Sequence, residues 1–306
     1  MIKYGIEEPF IKPTGIRFKE WQDNKVKLPE VAIGVFSRYL FQDVVEKFKC
    51  KEIGYINNAN FERKVYILNY KDTLFTFFMA GVGGPAIAAD IEELHASGVK
   101  KFIVFGNCGV LDSNIKDCSI IIPNLAYRDE GTSYHYEPES DTIELNPKYI
   151  NQFIKLLNKY NFEYTIGATW TTDAFYRETT DKIKYFKNLG VKTVEMEGAT
   201  IAAVCKKINV DYFTFYYAGD NLDGVEWDER SLSGLANIDK KKEVTILALE
   251  FAKSLLFWGW GRYKTINEIT GKGKWNERNQ GVKWSIFLTW MKSMDWIVKI
   301  ENLLTE

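Results

Sequence analysis

The chain is poor in the side chains that build metal sites and disulfide frameworks. Four cysteines, Cys50, Cys108, Cys118 and Cys205, stand far apart with no Cys-x-x-Cys pair, and only two histidines, His95 and His135, occur in 306 residues. That spacing argues against a zinc site, and a chain this long implies no disulfide framework. Long apolar runs are missing too: nowhere do the roughly 18 uncharged apolar residues of a spanning helix follow one another. The N-terminal MIKYGIEEPF carries acids where a signal peptide needs an apolar stretch, so a cytoplasmic protein without membrane insertion is expected. Neither sign of charge is in excess. With 40 Lys and Arg against 41 Asp and Glu, the net charge of -1 gives no electrostatic reason to expect nucleic acid or an anionic membrane.

Aromatic residues, in contrast, are plentiful, at 15% with nine Trp. Six of the tryptophans (Trp258, Trp260, Trp275, Trp284, Trp290 and Trp296) fall at or beyond position 258. Before that point, short apolar runs alternate with amphipathic stretches. Val31–Val35, Phe102–Phe105, Cys118–Pro123, Tyr164–Thr171, Val191–Glu195 and Asp211–Tyr217 read as strands. Val65–Leu68 and Thr73–Met79 read as a hairpin. Helical spacing is found over Tyr39–Phe48, Pro85–Ser97, Pro147–Tyr160, Gly198–Ile208 and Ile238–Leu256. Strands alternating with helices predict an α/β domain with a largely parallel or mixed sheet. The character changes near Phe257–Gly261, which predicts a domain over residues 1–256 and a Trp-rich extension over 257–306, helical over Trp284–Leu304.

Ligands of α/β sheets sit at the carboxyl ends of strands, and four such ends stand out. Gly34–Arg38, Gly81–Pro85, Gly106–Gly109 and Ala218–Asn221 each follow a strand. Their glycines can expose backbone N–H groups to an anion, and Arg38 can add a charge-assisted contact; the same loops also serve simply as tight turns. GVGG lacks the Gly-Lys-Ser/Thr of a nucleotide-triphosphate loop and the full spacing of a dinucleotide fingerprint. Val194-Glu195-Met196-Glu197-Gly198-Ala199 places two carboxylates at an apolar strand-to-helix junction. A carboxylate there accepts two hydrogen bonds from vicinal hydroxyls, or merely favours the helix N-terminus. Asp220 follows the aromatic run Tyr212–Tyr217. Such surroundings raise a carboxyl pKa toward general-acid use, although Gly-Asp-Asn is also turn chemistry.

Taken together and in order, VEMEGA (194–199), Gly34 with Arg38, MAGVGGPA (79–86), KKFIVFGNCGVL (100–111), DEGTSYHYEP (129–138), TTDAFY (171–176) and AGD (218–220) resemble the hexameric-type nucleoside phosphorylases. That family includes bacterial purine nucleoside phosphorylase, uridine phosphorylase and the methylthioadenosine nucleosidases. The resemblance covers roughly residues 30–256. It implies a three-layer α/β/α fold with a central mixed sheet, to which the helical C-terminal extension would be added. It also implies phosphate-dependent cleavage of a nucleoside to free base and ribose 1-phosphate, with phosphate as co-substrate and no metal or organic cofactor, in a homodimer or hexamer. By resemblance, Gly34, Arg38 and Asn107 contact phosphate, and Phe175 packs on the base. Met196 packs on the ribose, and Glu197 binds its hydroxyls. Asp220 protonates N7 of a leaving purine, with Arg230 assisting. His135, in the GTSYHYEP loop, is a further substrate-site candidate. His95 and Cys108 read as packing residues.

Three departures from the pattern matter. Val104 stands where family phosphorylases carry an arginine for phosphate. Arg63 is the nearest match, across a gap, to a phosphate-binding arginine lent by the neighbouring subunit. The N-terminus has no histidine for the ribose, with Tyr4 nearest. Asp220 favours a purine, whereas GTSYHYEP is closer to the uridine enzymes. A purine-preferring phosphorylase is therefore expected, with a uridine-type phosphorylase, a nucleoside hydrolase and a non-catalytic nucleoside sensor as alternatives.

Overall fold

The computed structural model describes residues 5, 7–18, 27–57 and 62–257. In chain order these form β1 (Arg17–Phe18), β2 (Val31–Val35), α1 (Arg38–Lys47), β3 (Lys51–Asn57), β4 (Glu62–Tyr70), β5 (Thr73–Met79), α2 (Gly84–Ala96), β6 (Lys101–Val110), β7 (Ile120–Asp129) and β8 (Thr142–Glu144). There follow α3 (Ile150–Lys159), β9 (Tyr164–Thr172), α4 (Thr180–Asn188), β10 (Thr193–Glu195), α5 (Gly198–Lys207), β11 (Asp211–Asn221) and α6 (Ile238–Phe257). Single 3-10 turns cover Thr132–His135 and Phe175–Arg177. The expected helix Trp284–Leu304, like the whole extension from 258, lies outside the described residues.

Alternation along the strands separates two apolar layers. Val31, Ile33 and Val35 of β2, Ile103 and Phe105 of β6, and Phe213 and Phe215 of β11 share one cluster with Leu40 and Val44 of α1, Phe153 of α3 and Phe251 of α6. Ala32, Phe102, Val104 and Tyr212 point the other way, into a cluster with Ile87 and Ile91 of α2 and Ile201 and Val204 of α5. Strands buried on both faces require continuous apolar runs, which is why AIGV and FIVF are so conspicuous in the sequence. Val104 belongs to this core and is fully buried. Its side chain packs into the α2 and α5 layer and, being apolar, offers an anion no contact.

The sheet is mixed. β2 runs parallel to β5 and β6, β6 runs parallel to β11, and β3, β4 and β5 form an antiparallel meander. β10 pairs with β6 antiparallel and with β9 parallel; β7 pairs with β9 parallel and with β11 antiparallel. Because β11 also pairs with β6, strands β6, β10, β9, β7 and β11 close into a ring. The expected mixed α/β/α architecture is present, and the ring closure is the part that local sequence patterns do not encode. No helix among the described residues is long and apolar enough to cross a membrane.

Candidate active site

Where the ends of β2, β5, β9, β10 and β11 converge on the last turn of β6, a cavity of about 180 Å³ is walled by Phe36, Val82, Asn107, Cys108, Phe175, Glu178, Glu195, Met196, Glu197, Asp220 and Leu232, among others. Five of the residues expected from sequence meet there: Asn107, Phe175, Met196, Glu197 and Asp220. They come from four separate stretches of chain, each delivered by a strand end, the usual place for ligand chemistry in such sheets.

The two carboxylates of VEMEGA divide their work. Glu195 is buried and saturated: it accepts from Thr171 Oγ1 (2.5 Å), Tyr216 Oη (3.0 Å) and the backbone N–H groups of Glu197 (2.8 Å) and Gly198 (2.5 Å). It fixes the turn into α5, so its function is architectural. Glu197 is equally buried, and its Oε1 accepts from the Gly83 N–H at 2.6 Å. Gly83 adopts φ +89°, a conformation costly for any other residue, and this turns its N–H toward Glu197. Burial, with the Glu195 carboxylate beside it, pushes the Glu197 carboxyl up to about 8. The result is a carboxyl with free acceptor capacity facing the cavity, suited to hydroxyls.

Asp220 is the penultimate residue of β11 and is also buried. Burial raises its pKa, against the pull of a 2.8 Å hydrogen bond from Trp227 Nε1 and the charge of Arg230. Arg230 does not touch Asp220. Its Nη1 donates to Ile115 O at 2.9 Å and its Nε lies 3.4 Å from Asp228, so it acts on the acid only through its field. Trp227 is the direct partner of Asp220. No local sequence pattern ties this exposed indole to an acid seven residues earlier.

Gly34, Arg38, Arg63 and His135 lie off the cavity wall. Gly34 is inside β2 rather than in a loop; a Cβ there would come within 2.6 Å of the Phe78 ring. Arg38 is exposed at the first position of α1, next to the N-cap Ser37. Arg63 is buried in an ion pair with Asp90 of α2, and Asp90 also accepts from the Gly81 N–H at 2.8 Å. In the described chain it therefore braces the Gly81–Gly83 loop. His135 is exposed at the end of its 3-10 turn. The loop around it is held by Arg128, whose guanidinium donates to Ser133 Oγ (2.8 Å) and Pro138 O (2.7 Å), and by Glu130, which accepts from Thr200 Oγ1 (2.8 Å). Cys108 is buried; burial first, then Asp220 and Glu195, keeps its thiol protonated, as suits a packing residue. His95 Nδ1–H donates to Val99 O, 2.8 Å away, just beyond the end of its own helix.

No lysine or arginine lines the cavity among the described residues, while four carboxyl groups do: Glu178, Glu195, Glu197 and Asp220. Among those same residues no three His, Cys, Asp or Glu side chains are arranged to hold a metal ion.

The phosphorylase superfamily model matches residues 30–256. The chain belongs to that superfamily. Among its curated relatives, a guanosine phosphorylase of Halorubrum lacusprofundi is 27% identical over 48% of this chain and 61% of its own length. A DeoD-type purine nucleoside phosphorylase of Buchnera aphidicola is 28% identical over 58% of this chain and 78% of its own length. A uridine phosphorylase of Haemophilus influenzae is 25% identical over 42% of this chain and 57% of its own length. The chain thus spans about three-fifths of the first and third of these relatives. The superfamily membership agrees with the resemblance carried by VEMEGA and the ordered glycine loops.

Proposed function

We propose that the protein is a nucleoside phosphorylase acting on purine nucleosides. The observation that carries this reading is the placement of Asp220 and Glu197, two buried carboxyls with raised pKa values, in one cavity with Phe175 and Met196. Cleaving an N-glycosidic bond leaves positive charge on the sugar and an electron pair on the base. A phosphate oxygen forms the new bond to C1′ as the bond from C1′ to N9 breaks, and a proton on Asp220 passes to N7 to neutralise the departing base. Glu197 holds the ribose hydroxyls. Phosphate sits between Asn107, the loop Gly81–Gly83 and the start of α1, with Arg38 swinging in from solvent. No metal or organic cofactor enters this scheme, which needs only phosphate.

In this reading a second copy, in a homodimer or hexamer, completes the phosphate site beside a wall that among the described residues carries carboxyls and no Lys or Arg, in a soluble cytoplasmic protein with the Trp-rich segment 257–306 as an appendage. It also favours a second reading, nucleoside binding without turnover. A panel of purine and pyrimidine nucleosides incubated with and without phosphate separates these. Phosphate-dependent release of purine base is expected. Release at the same rate without phosphate identifies a hydrolase, and tight calorimetric binding without release identifies a sensor.

A further inference from the structure

Lys241, in the first turn of α6, is the only lysine that is buried among the described residues, at 2% exposure. Taking an ammonium group out of water is costly, so a residue that only filled space there would be apolar. The amino group instead serves main-chain oxygens. Nζ donates to Ser231 O at 2.5 Å and to Ser233 O at 3.1 Å, and it lies 5.9 Å from the centre of the Tyr217 ring. Among the described residues it forms no ion pair. Asp117, the acid whose charge it feels, is already engaged by Ser231 Oγ and Asn237 Nδ2, each at 2.6 Å.

The two carbonyls flank Leu232. Leu232, Phe175 and Glu178 line both the inner cavity and an outer cleft of about 760 Å³, so they mark the boundary between the two. The stretch that carries Leu232 lies between the bridge Asn221–Asp228 and the start of α6, with no strand or helix of its own. Its anchors lie beneath it. The Ser231 N–H donates to Gly219 O at 3.2 Å, Ser231 Oγ donates to Asp117, and Lys241 takes the carbonyls. Farther along, a Cβ on Gly234 would run into the Tyr39 ring, so the stretch rests there on α1, one residue past Arg38. Ser233 O has a second donor in the Ala236 N–H at 3.2 Å, whereas Ser231 O, in a buried residue, has none but Lys241 among the described residues. Without the ammonium that carbonyl is left buried and unpaired, and the chain relieves the penalty by turning it, and Leu232 with it, away from the core.

We propose, resting on the reading that this cavity takes a purine nucleoside, that Lys241 is a positioning residue for it: by holding the carbonyls on both sides of Leu232 from below, the buried ammonium keeps that side chain on the cavity wall as a ready-made cover for the nucleoside. The contact Leu232 offers is apolar and carries no charge that could follow the reaction. It is made alike to the ground state and the transition state, so it governs how tightly the nucleoside binds and not how fast the glycosidic bond breaks. Lys241 lies off the cavity wall, and its effect on binding passes through Leu232. A mere brace of the fold would behave differently. Its loss would lower Tm and the amount of active protein, and leave KM unchanged in the molecules that stay folded.

The test is steady-state release of purine base by the full chain with saturating phosphate, at a temperature where every variant is folded. K241M keeps an apolar stem and removes the donors. Its KM for a purine nucleoside is expected to rise about tenfold, with kcat changed by less than about twofold. L232A is expected to raise KM by a similar factor. In the double variant K241M/L232A the two rises are expected not to multiply, because both remove the same contact. An unchanged KM in K241M, a loss confined to kcat, or rises that multiply in the double variant overturns the assignment. Should K241M fail to fold, K241Q, which keeps a neutral amide donor for the carbonyls, is judged by the same criteria. If no base is released from any nucleoside, the phosphorylase reading fails separately, and calorimetric Kd values for the nucleoside replace KM in the same comparison. A chain that binds no nucleoside overturns both.

Discussion

Asp220 shows how little a side chain's neighbours in sequence say about its partners. Its place at a strand end was legible from the aromatic run before it. Its raised pKa follows from the burial that run enforces. Asp220→Asn removes the transferable proton and is expected to lower kcat for a purine nucleoside by roughly 10²- to 10⁴-fold with substrate binding retained, read from release of free base. Trp227→Phe deletes the Nε1–H donor that stabilises the ionised form, so the Asp220 pKa rises further. The alkaline limb of the kcat profile is then expected at higher pH; an unmoved limb would separate Trp227 from the acid. Glu197 gives a stability test. Its folded value of about 8 lies above its ordinary value of 4.5, so between them the folded chain holds a proton the unfolded chain has lost. This contribution is complete below the ordinary value and disappears as pH rises through the folded one. Glu197→Gln keeps an oxygen for the Gly83 N–H. It is expected to melt higher than the wild type in alkaline buffer, with the gap closing in acid and base release lost throughout.

Among the elements, the strands and helices with the clearest apolar periodicity were all legible, because burial on both faces of the sheet or on one helix face writes itself into local pattern. The short β1, β3 and β8 and the helix α4 were not, since each is half-exposed and polar over much of its length. The candidate site divides along the same line. Met196, Glu197, Phe175, Asn107 and Asp220 stand in strand-end motifs and meet in the cavity. Arg63 resembles, across a gap, a phosphate-binding arginine lent by a neighbouring subunit; within the described chain it pairs with Asp90, 27 residues away on another element, a pairing that no local pattern reveals. The pair ties β4 to α2 and, through Gly81, to the loop that carries Gly83. Arg63→Met leaves Asp90 buried and uncompensated and is expected to cost about 3–5 kcal/mol, visible as a lower Tm. Gly34, expected in a ligand loop, lies inside β2 against the Phe78 ring. Gly34→Ala forces its methyl group into the Phe78 ring and is expected to cost about 1–3 kcal/mol, measured by denaturant unfolding.

At the scale of the whole molecule, the cavity draws on chain from Phe36 to Leu232. The strand that completes its wall, β11, pairs Asp211 with Lys101 and Phe215 with Phe105 to shut the ring. Contacts of such long sequence separation form slowly, because the loop entropy is lost before the pairing repays it. The ring therefore gives the protein a kinetic signature. Until β11 seats, Asp220 and Glu197 belong to different parts of an open chain, and the proposed nucleoside site is not assembled. In refolding from denaturant, recovery of nucleoside binding should trail the return of helical signal and coincide with the slowest phase. Added nucleoside should slow unfolding without hastening that last step. The same closure that assembles the chemistry thus also makes the ligand a guard of the finished fold rather than a guide to it.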